Sequence, residues 1–304
     1  MVFRSLDAVD FTLEDCAPLP TARHVVLTTP THFDVTYIIN PHMVEHVGGV
    51  DTAVAWQQWK ALRAVYQALD CTVHVVSGQP DLPDMVFCAN QTLPYQHPGT
   101  GDVGVVLSRM HTEERQPEVQ HFARFFRARG YTVNELPADV ASDFEGMGDA
   151  IWHTGRHLLW GGYGYRTDLD AYEALSEMLD VPIVTVHLDD PDFYHLDTCF
   201  SVLREDAVLL YPGVFSDDER ALIGHFFETV IEAPEGEARD RFACNAHCPD
   251  GTHVIIHEGC SETSARLAAE GFVPVDVDTG EFLKAGGSVF CMKLMTWLPP
   301  DGAL

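Results

Sequence analysis

The chain has 304 residues, 46% of them hydrophobic and 10% aromatic, which supplies a sizeable core for one large domain or two small ones. Its formal net charge is −28, with lysine only at 60, 284 and 293, so duplex nucleic acid and anionic membranes are not expected as partners. No apolar run approaches the ~18 residues of a membrane helix. The acidic start lacks the basic and apolar stretches of a signal peptide. Eight cysteines are sparse for this length, and a reducing cytoplasm without disulfides is expected.

Taken in chain order, one unit recurs: a polar motif, an apolar strand, a turn, a second strand, an amphipathic helix and a closing strand. His24-Val-Val-Leu27 predicts a strand and Ala53 to Leu69 a helix, with Trp56, Trp59 and Tyr66 on its core face. The next unit opens on Pro83-Asp-Met-Val-Phe-Cys-Ala-Asn90. It passes through a strand at 103–107 and a helix over Glu118 to Arg129, and ends at Tyr131-Thr-Val-Asn134. Phe144-Glu-Gly-Met-Gly-Asp149 opens another. It leads to strands at Ala150-Ile-Trp152 and from His157, with Gly161-Gly-Tyr-Gly164 read as a turn, then a helix over Asp170 to Leu179 and a strand from Pro182.

Tyr194 to Leu203 is the motif and first strand of the clearest copy. Arg204-Glu-Asp206 is its turn, Ala207 to Pro212 its second strand and Asp217 to Val230 its helix. A further copy starts at Phe242-Ala-Cys-Asn-Ala246 and continues through Thr252-His-Val-Ile-Ile256, the helix Ser261 to Ala269 and Val273-Pro-Val-Asp-Val277. The remaining unit is split: the strand at His24 and its helix open the chain, and a strand carrying Cys291 closes it.

The polar residues at these motifs are Asn90, Asp149, Asp197, Asn245 and Cys291, separated by 59, 48, 48 and 46 residues. Five similar units with one geometry bring five polar motifs to a common axis, as in a ring or propeller. An ordinary mixed α/β sheet with coincidental spacing is the alternative. Around the axis would gather Cys291, His195, Glu145, Asp149, Asp197, Asp84, Asn90 and Asn245. A cysteine with a histidine and several carboxylates is a nucleophile and base facing a cationic electrophile. Nearby positive charge favours the thiolate, and carboxylates grip a planar cation through charge-assisted hydrogen bonds.

These motifs, in this order and ending in Gly286-Gly-Ser-Val-Phe-Cys291, resemble the guanidine-modifying enzymes of the five-bladed α/β-propeller (pentein) fold. That superfamily includes arginine deiminase, dimethylarginine dimethylaminohydrolase and the glycine amidinotransferases. The stretches Phe33-Asp-Val-Thr-Tyr-Ile-Ile-Asn-Pro41 and Leu107-Ser-Arg-Met-His-Thr-Glu-Glu-Arg-Gln116 are most similar to the cyanobacterial-type arginine dihydrolase domain. The resemblance covers essentially residues 1–304 as a single catalytic domain.

It implies that Cys291 attacks the guanidinium carbon and that His195 is the acid and base. By the same likeness, Glu145 holds substrate nitrogens and orients His195, and Asp197 grips the guanidinium. Arg109 and Asn40 would hold the α-carboxylate end. Asn90 stands where deiminases commonly carry Asp. An amide offers both a donor and an acceptor and so accommodates the C=O of citrulline. The resemblance therefore implies hydrolysis of arginine through to ornithine, carbon dioxide and two ammonia. Asp84 is read as a second guanidinium ligand in preference to a turn anchor, and Asp149 and Asn245 as further substrate contacts.

The cluster Cys244, Cys248, His253, His257 and Cys260 has no standard zinc spacing, and neither a metal nor a cofactor is expected. Cys88 and Cys199 are expected inside strands, buried and inert. The expected partner is a small guanidino compound, and a homo-oligomer is compatible with the sequence. A citrulline-forming hydrolase, an amidinotransferase and a non-catalytic member of the fold are the competing readings.

Overall fold

The computed structural model describes residues 1–299; residues 300–304 of the expected domain lie outside them. Its strands form five separate small sheets among the described residues. Four repeat one pattern, in which a middle strand pairs antiparallel on one side and parallel on the other. Val103–Leu107 lies between Thr92–Gln96 (antiparallel) and Thr132–Asn134 (parallel). Leu159–Tyr163 lies between Ala150–Trp152 and Ile183–His187 in the same sense. So does Ala207–Leu210 between Phe200–Arg204 and Thr229–Glu232, and His24–Thr28 between Leu294–Thr296 and Thr72–Val76. In the remaining sheet His253–His257 pairs parallel with Val273–Val277, and its antiparallel neighbour is reduced to the bridge between His247 and Ile255.

A parallel pair cannot be joined by a hairpin and needs a crossover. The helices Thr52–Ala68, Val119–Arg127, Leu169–Leu179, Asp217–Phe226 and Ser261–Ala269 supply those crossovers. Local chemistry starts two of them. Asp51 accepts from the backbone N–H groups of Ala53 and Val54, and Ser216 with Glu219 forms a capping box.

Burial is graded across each sheet. Val103–Leu107 and Ala207–Leu210 are wholly buried, whereas the outer strands Thr72–Val76, Thr132–Asn134 and Val273–Val277 are largely half-buried or exposed. Ile183–His187 is the exception: Val2–Phe3 pairs along it in parallel and covers it. The polar motifs precede the buried inner strands and so lie at the interior.

Four local expectations are corrected. The helix from Asp217 ends at Phe226, not Val230, because the β-branched run Thr229, Val230 and Ile231 joins the ladder beside Ala207–Leu210. Gly161, Gly162 and Tyr163 belong to a strand, not a turn. The glycines are there for clearance: a Cβ at 161 would lie 2.7 Å from the Tyr172 ring, and one at 162 would lie 2.8 Å from Leu196 Cβ. Cys88 and Cys199 occupy turns just before strands, though both are buried. Cys291 also sits in a turn, and the closing strand begins at Leu294.

Gly161→Ala should destabilise the fold by about 1–3 kcal/mol through overpacking against Tyr172 and Thr185. Gly224→Ala lies on the exposed face of Asp217–Phe226 with no atom within 4 Å of the new Cβ, and should stabilise by about 0.5–1 kcal/mol. Urea denaturation of the two variants beside the wild type checks both signs.

Candidate active site

The turn that carries Cys291 is built around one amide. Asn245 Oδ1 accepts from the backbone N–H groups of Ser288, Phe290 and Cys291 at 3.1, 3.0 and 3.2 Å. Its Nδ2 donates to Asp197 O at 2.8 Å and to Cys291 Sγ at 3.1 Å. The amide is fully used in shaping the turn and does not line the central pocket. The thiol donates in turn to Asp197 Oδ2 at 3.2 Å. Burial, and then the neighbouring Asp197 carboxylate, push the Cys291 thiol well up from its ordinary value. Burial likewise raises Asp197 to about 7, opposed by the bond from Cys291 and the field of Lys293. Lys293 is itself buried, with Nζ 3.1 Å from the Phe290 ring centroid, and burial lowers it to about 7.

His195 is held on the Nε2 side by Glu145 Oε2 at 2.7 Å. Glu145 Oε2 also meets Arg166 Nη1 at 3.3 Å, and Oε1 accepts from the His111 backbone N–H at 3.0 Å. Burial alone would raise Glu145, but Arg166 and His195 overcome it and hold the carboxyl down at about 2. With Nε2 bonded to a carboxylate, Nδ1 is the nitrogen left for chemistry; its neighbour is Asn90 Nδ2 at 3.5 Å.

The glycines of Phe144-Glu-Gly-Met-Gly-Asp149 make room here. Gly146 has φ +58° and a Cβ there would sit 2.6 Å from Asn90 O, while a Cβ at 148 would collide with Asn90 Nδ2.

The central pocket is lined by Asn40, Asp84, Asn90, Arg115, Arg166, Tyr194, His195 and Cys291, with apolar Ile39, Met43 and Phe87 at its sides. Asp84 is fully buried. Its Oδ2 accepts from the Tyr37 hydroxyl at 2.9 Å, but its Oδ1 has no partner, and neither does Asp197 Oδ1. Burial raises Asp84, opposed first by Arg115. Glu118 Oε1, beside Arg115, is a third such oxygen; a buried carboxylate oxygen without a donor is able to accept from a cation.

The other expected residues are placed differently. Asn40 lines the pocket, yet its amide is engaged with Ala285 O, the Tyr194 hydroxyl and the His42 N–H. Asp149 lies behind His195 and does not line the pocket: Oδ1 accepts from the Leu196 N–H at 3.0 Å and Oδ2 from the Thr167 hydroxyl at 2.7 Å. Arg109 is outside the pocket altogether. Three hydrogen bonds tie its guanidinium to the carbonyls of Leu136, Pro137 and Val140, and it does not line the central pocket. Arg166 and Arg115, which the motifs do not single out, take the cationic positions beside the pocket. The signal available for Arg115 was Glu118 three residues on, near enough in sequence to serve as its counter-ion.

A larger cavity of about 360 Å³ lies away from the central pocket, bounded by Trp152, Trp297, His247 and Lys293. Of the Cys244 to Cys260 cluster, His253 pairs with Asp250 at 2.7 Å and His257 with the Thr279 hydroxyl at 2.9 Å. No three potential metal-binding side chains of the described residues converge.

The family model described as N,N dimethylarginine dimethylhydrolase, eukaryotic, matches residues 43–297. The chain belongs to the dimethylarginine dimethylaminohydrolase family of guanidine-modifying enzymes. It is 36% identical to the N(G),N(G)-dimethylarginine dimethylaminohydrolase of Mycobacterium tuberculosis, over 90% of this chain and 86% of that one. It is 38% identical to the bifunctional arginine dihydrolase/ornithine cyclodeaminase AgrE of a Nostoc species, over 90% of this chain but only 38% of the relative. Among solved structures, the substrate-bound N-terminal domain of ArgZ, an arginine dihydrolase from cyanobacteria, superposes with a TM-score of 0.83. The identity is 35%, covering 91% of this chain and 98% of that domain.

Buried carboxyls and buried bases contribute opposite signs to the pH dependence of stability. Asp149 is raised to about 6, and Glu118 and Asp197 to about 7, in each case first by burial. Between the unfolded carboxyl value of ~4 and those values the folded chain binds more protons than the unfolded one, so stability falls as pH rises through that window. Glu145 acts oppositely and loses its contribution only as pH falls from ~4 towards about 2. Buried His153, lowered to about 4, His247, lowered well below its ordinary value, and Lys293, lowered to about 7, act with the opposite sign and stabilise as pH rises. The carboxyl contribution is therefore read by difference: Asp149→Asn, which keeps an acceptor for the Leu196 N–H, should gain stability relative to the wild type as pH rises from ~4 to about 6. A difference in melting temperature between variant and wild type that does not grow over that window would contradict this assignment.

Proposed function

We propose that this chain is an arginine dihydrolase domain: a single catalytic unit whose five sheets are the blades of a propeller and whose motifs meet at the central pocket. The chain spans 38% of the length of its bifunctional relatives, and the reading concerns the hydrolytic step alone. The observation that carries it is the pair of unpartnered carboxylate oxygens, on Asp84 and Asp197, beside a thiol, an imidazole and an amide.

In this reading a guanidinium enters against Asp84 and Asp197 and brings the positive charge that the thiol lacks in the empty site. The thiol proton passes to an acceptor already in contact, Asp197 Oδ2. The thiolate attacks the guanidinium carbon and His195 Nδ1 delivers a proton to the departing nitrogen, releasing ammonia. His195 then takes a proton from water as the hydroxide attacks the thio-uronium adduct; the carbon–sulfur bond breaks, citrulline forms, and the thiolate is set free beside the proton held on Asp197 Oδ2. A second attack on the ureido carbon expels a second ammonia. Water then releases the carboxylated amine, which breaks down to ornithine and carbon dioxide. Arginine and two waters are thus balanced by ornithine, carbon dioxide and two ammonia.

Asn90 permits the second round. A carboxylate at position 90 would face the citrulline oxygen lone pair to lone pair, at a cost of about 1–3 kcal/mol, or roughly 5- to 150-fold in retention. An amide offers its NH2 to that oxygen.

Cys291→Ser should bind arginine but lose turnover by several orders of magnitude, since a serine hydroxyl is scarcely ionised near neutral pH. The wild type should release ornithine with about two ammonia per arginine, and Asn90→Asp should release citrulline with one. Amino-acid analysis and ammonia assay decide: a wild type that stops at citrulline makes this a deiminase-like or substituted-guanidine hydrolase. Ornithine from Asn90→Asp moves the product switch elsewhere.

A further inference from the structure

The orientation of the Asn90 amide is imposed from outside the reacting set. Arg115 is 3% exposed and stands at the wall of the central pocket. Its Nη1 donates to Asn90 Oδ1 at 3.0 Å. Its Nη2 donates to the carbonyls of Asp84 and Phe87, each at 3.2 Å, and to Glu118 Oε2 at 3.1 Å; Nε also reaches Glu118 Oε2 at 3.1 Å. Glu118 is fully buried and receives a further bond from Gln91 Nε2 at 2.7 Å. One side chain therefore ties the motif of residues 83–90 to a counter-ion on the following segment.

An arginine has five donors and no acceptor. The atom of Asn90 that faces Arg115 can only be the oxygen, so Nδ2 is turned towards His195 Nδ1 and the pocket. Were the amide reversed, its oxygen would face the pocket as a carboxylate does, and NH2 would stand against a guanidinium that can only donate. We infer that Arg115 is a positioning residue that fixes the amide flip of Asn90 and thereby sets whether citrulline is released or hydrolysed. The inference rests on the dihydrolase reading above. It adds a determinant of product choice in the layer behind the amide.

The backbone bonds of Arg115 to Asp84 O and Phe87 O serve the fold as well, so rate alone is a poor measure of its role. The ratio of citrulline to ornithine is the informative readout, because a merely structural residue changes how much enzyme works and not what it releases. Two variants keep the test independent of folding. Arg115→Met combined with Glu118→Gln removes both buried charges and keeps an oxygen for Gln91, avoiding an unpaired carboxylate. Arg115→Lys keeps the counter-charge for Glu118 but lacks the fork that serves Glu118 and Asn90 at once.

With Oδ1 deprived of its donor, the amide is free to turn its oxygen to a protonated His195. The ratio of citrulline to ornithine should then rise about five-fold or more in either variant, the factor that corresponds to about 1 kcal/mol. Ammonia released per arginine should fall from about two towards one. Direct hydrolysis of added citrulline should weaken more than consumption of arginine. An unchanged ratio in a variant that still consumes arginine overturns the inference and leaves the dihydrolase reading intact. A wild type that yields no ornithine removes the reading itself, and is recognised before any variant is made.

Discussion

The arrangement depends on a carboxylate that has no contact with water. Glu145 is fully buried, and an unpaired charge in that position would cost more than the fold can spare. Its oxygens are satisfied by three segments far apart in the chain: the backbone at His111, the guanidinium of Arg166 and the ring of His195. Its backbone N–H adds a fourth, to the Thr167 hydroxyl. Because the charge must be neutralised, the position of His195 is fixed before any substrate arrives, and the imidazole presents Nδ1 to the pocket. Arg166 extends the same constraint outward, since its Nη2 donates to Ile39 O and its guanidinium lies 4.9 Å from the centre of the Tyr194 ring.

The charge of the molecule is thus divided between two regimes. Outside, a large acidic excess faces water, where individual pairs contribute little but the summed field favours the approach of a cation. Inside, the buried arginines have their own partners: Arg115 with Glu118, Arg166 with Glu145. Asp84, Asp197 and Glu118 each leave one carboxylate oxygen without a donor; of the three, Asp84 lines the central pocket and Asp197 meets it through Cys291 Sγ.

Much of this was legible in the sequence. The alternation of inner apolar strands, crossover helices and closing strands repeats strongly enough to give the element order, and a motif ahead of each inner strand marks the interior. Cys291, His195, Asn90 and Asp84 reach one pocket because the motifs that carry them stand at the same place in their units. What the motifs did not distinguish is a polar residue that touches substrate from one that shapes the backbone around it. Asn245 and Asp149 have the same position in the repeat as Asn90, yet their hydrogen bonds are spent on the nucleophile turn and on Leu196 and Thr167. Arg115 and Arg166 were given no role for a different reason. A long side chain selects its partners from whatever the fold brings near it, and Arg166 meets a carbonyl 127 residues away. Sequence neighbours do not announce such a contact. Arg109, inside a motif, finds three carbonyls nearer than the pocket.

The split sheet has a consequence for how the protein comes into being. His24–Thr28 is among the earliest strands made, and its antiparallel neighbour Leu294–Thr296 is the last among the described residues, following Cys291 by three residues. The nucleophile turn hangs from that neighbour and from Asn245. During synthesis, four sheets can form while the thiol is still unpositioned or inside the ribosome. An unfinished chain therefore holds carboxylates and an imidazole but no aligned thiol. The alignment of the thiol arrives in one step, with the strand that completes the split sheet.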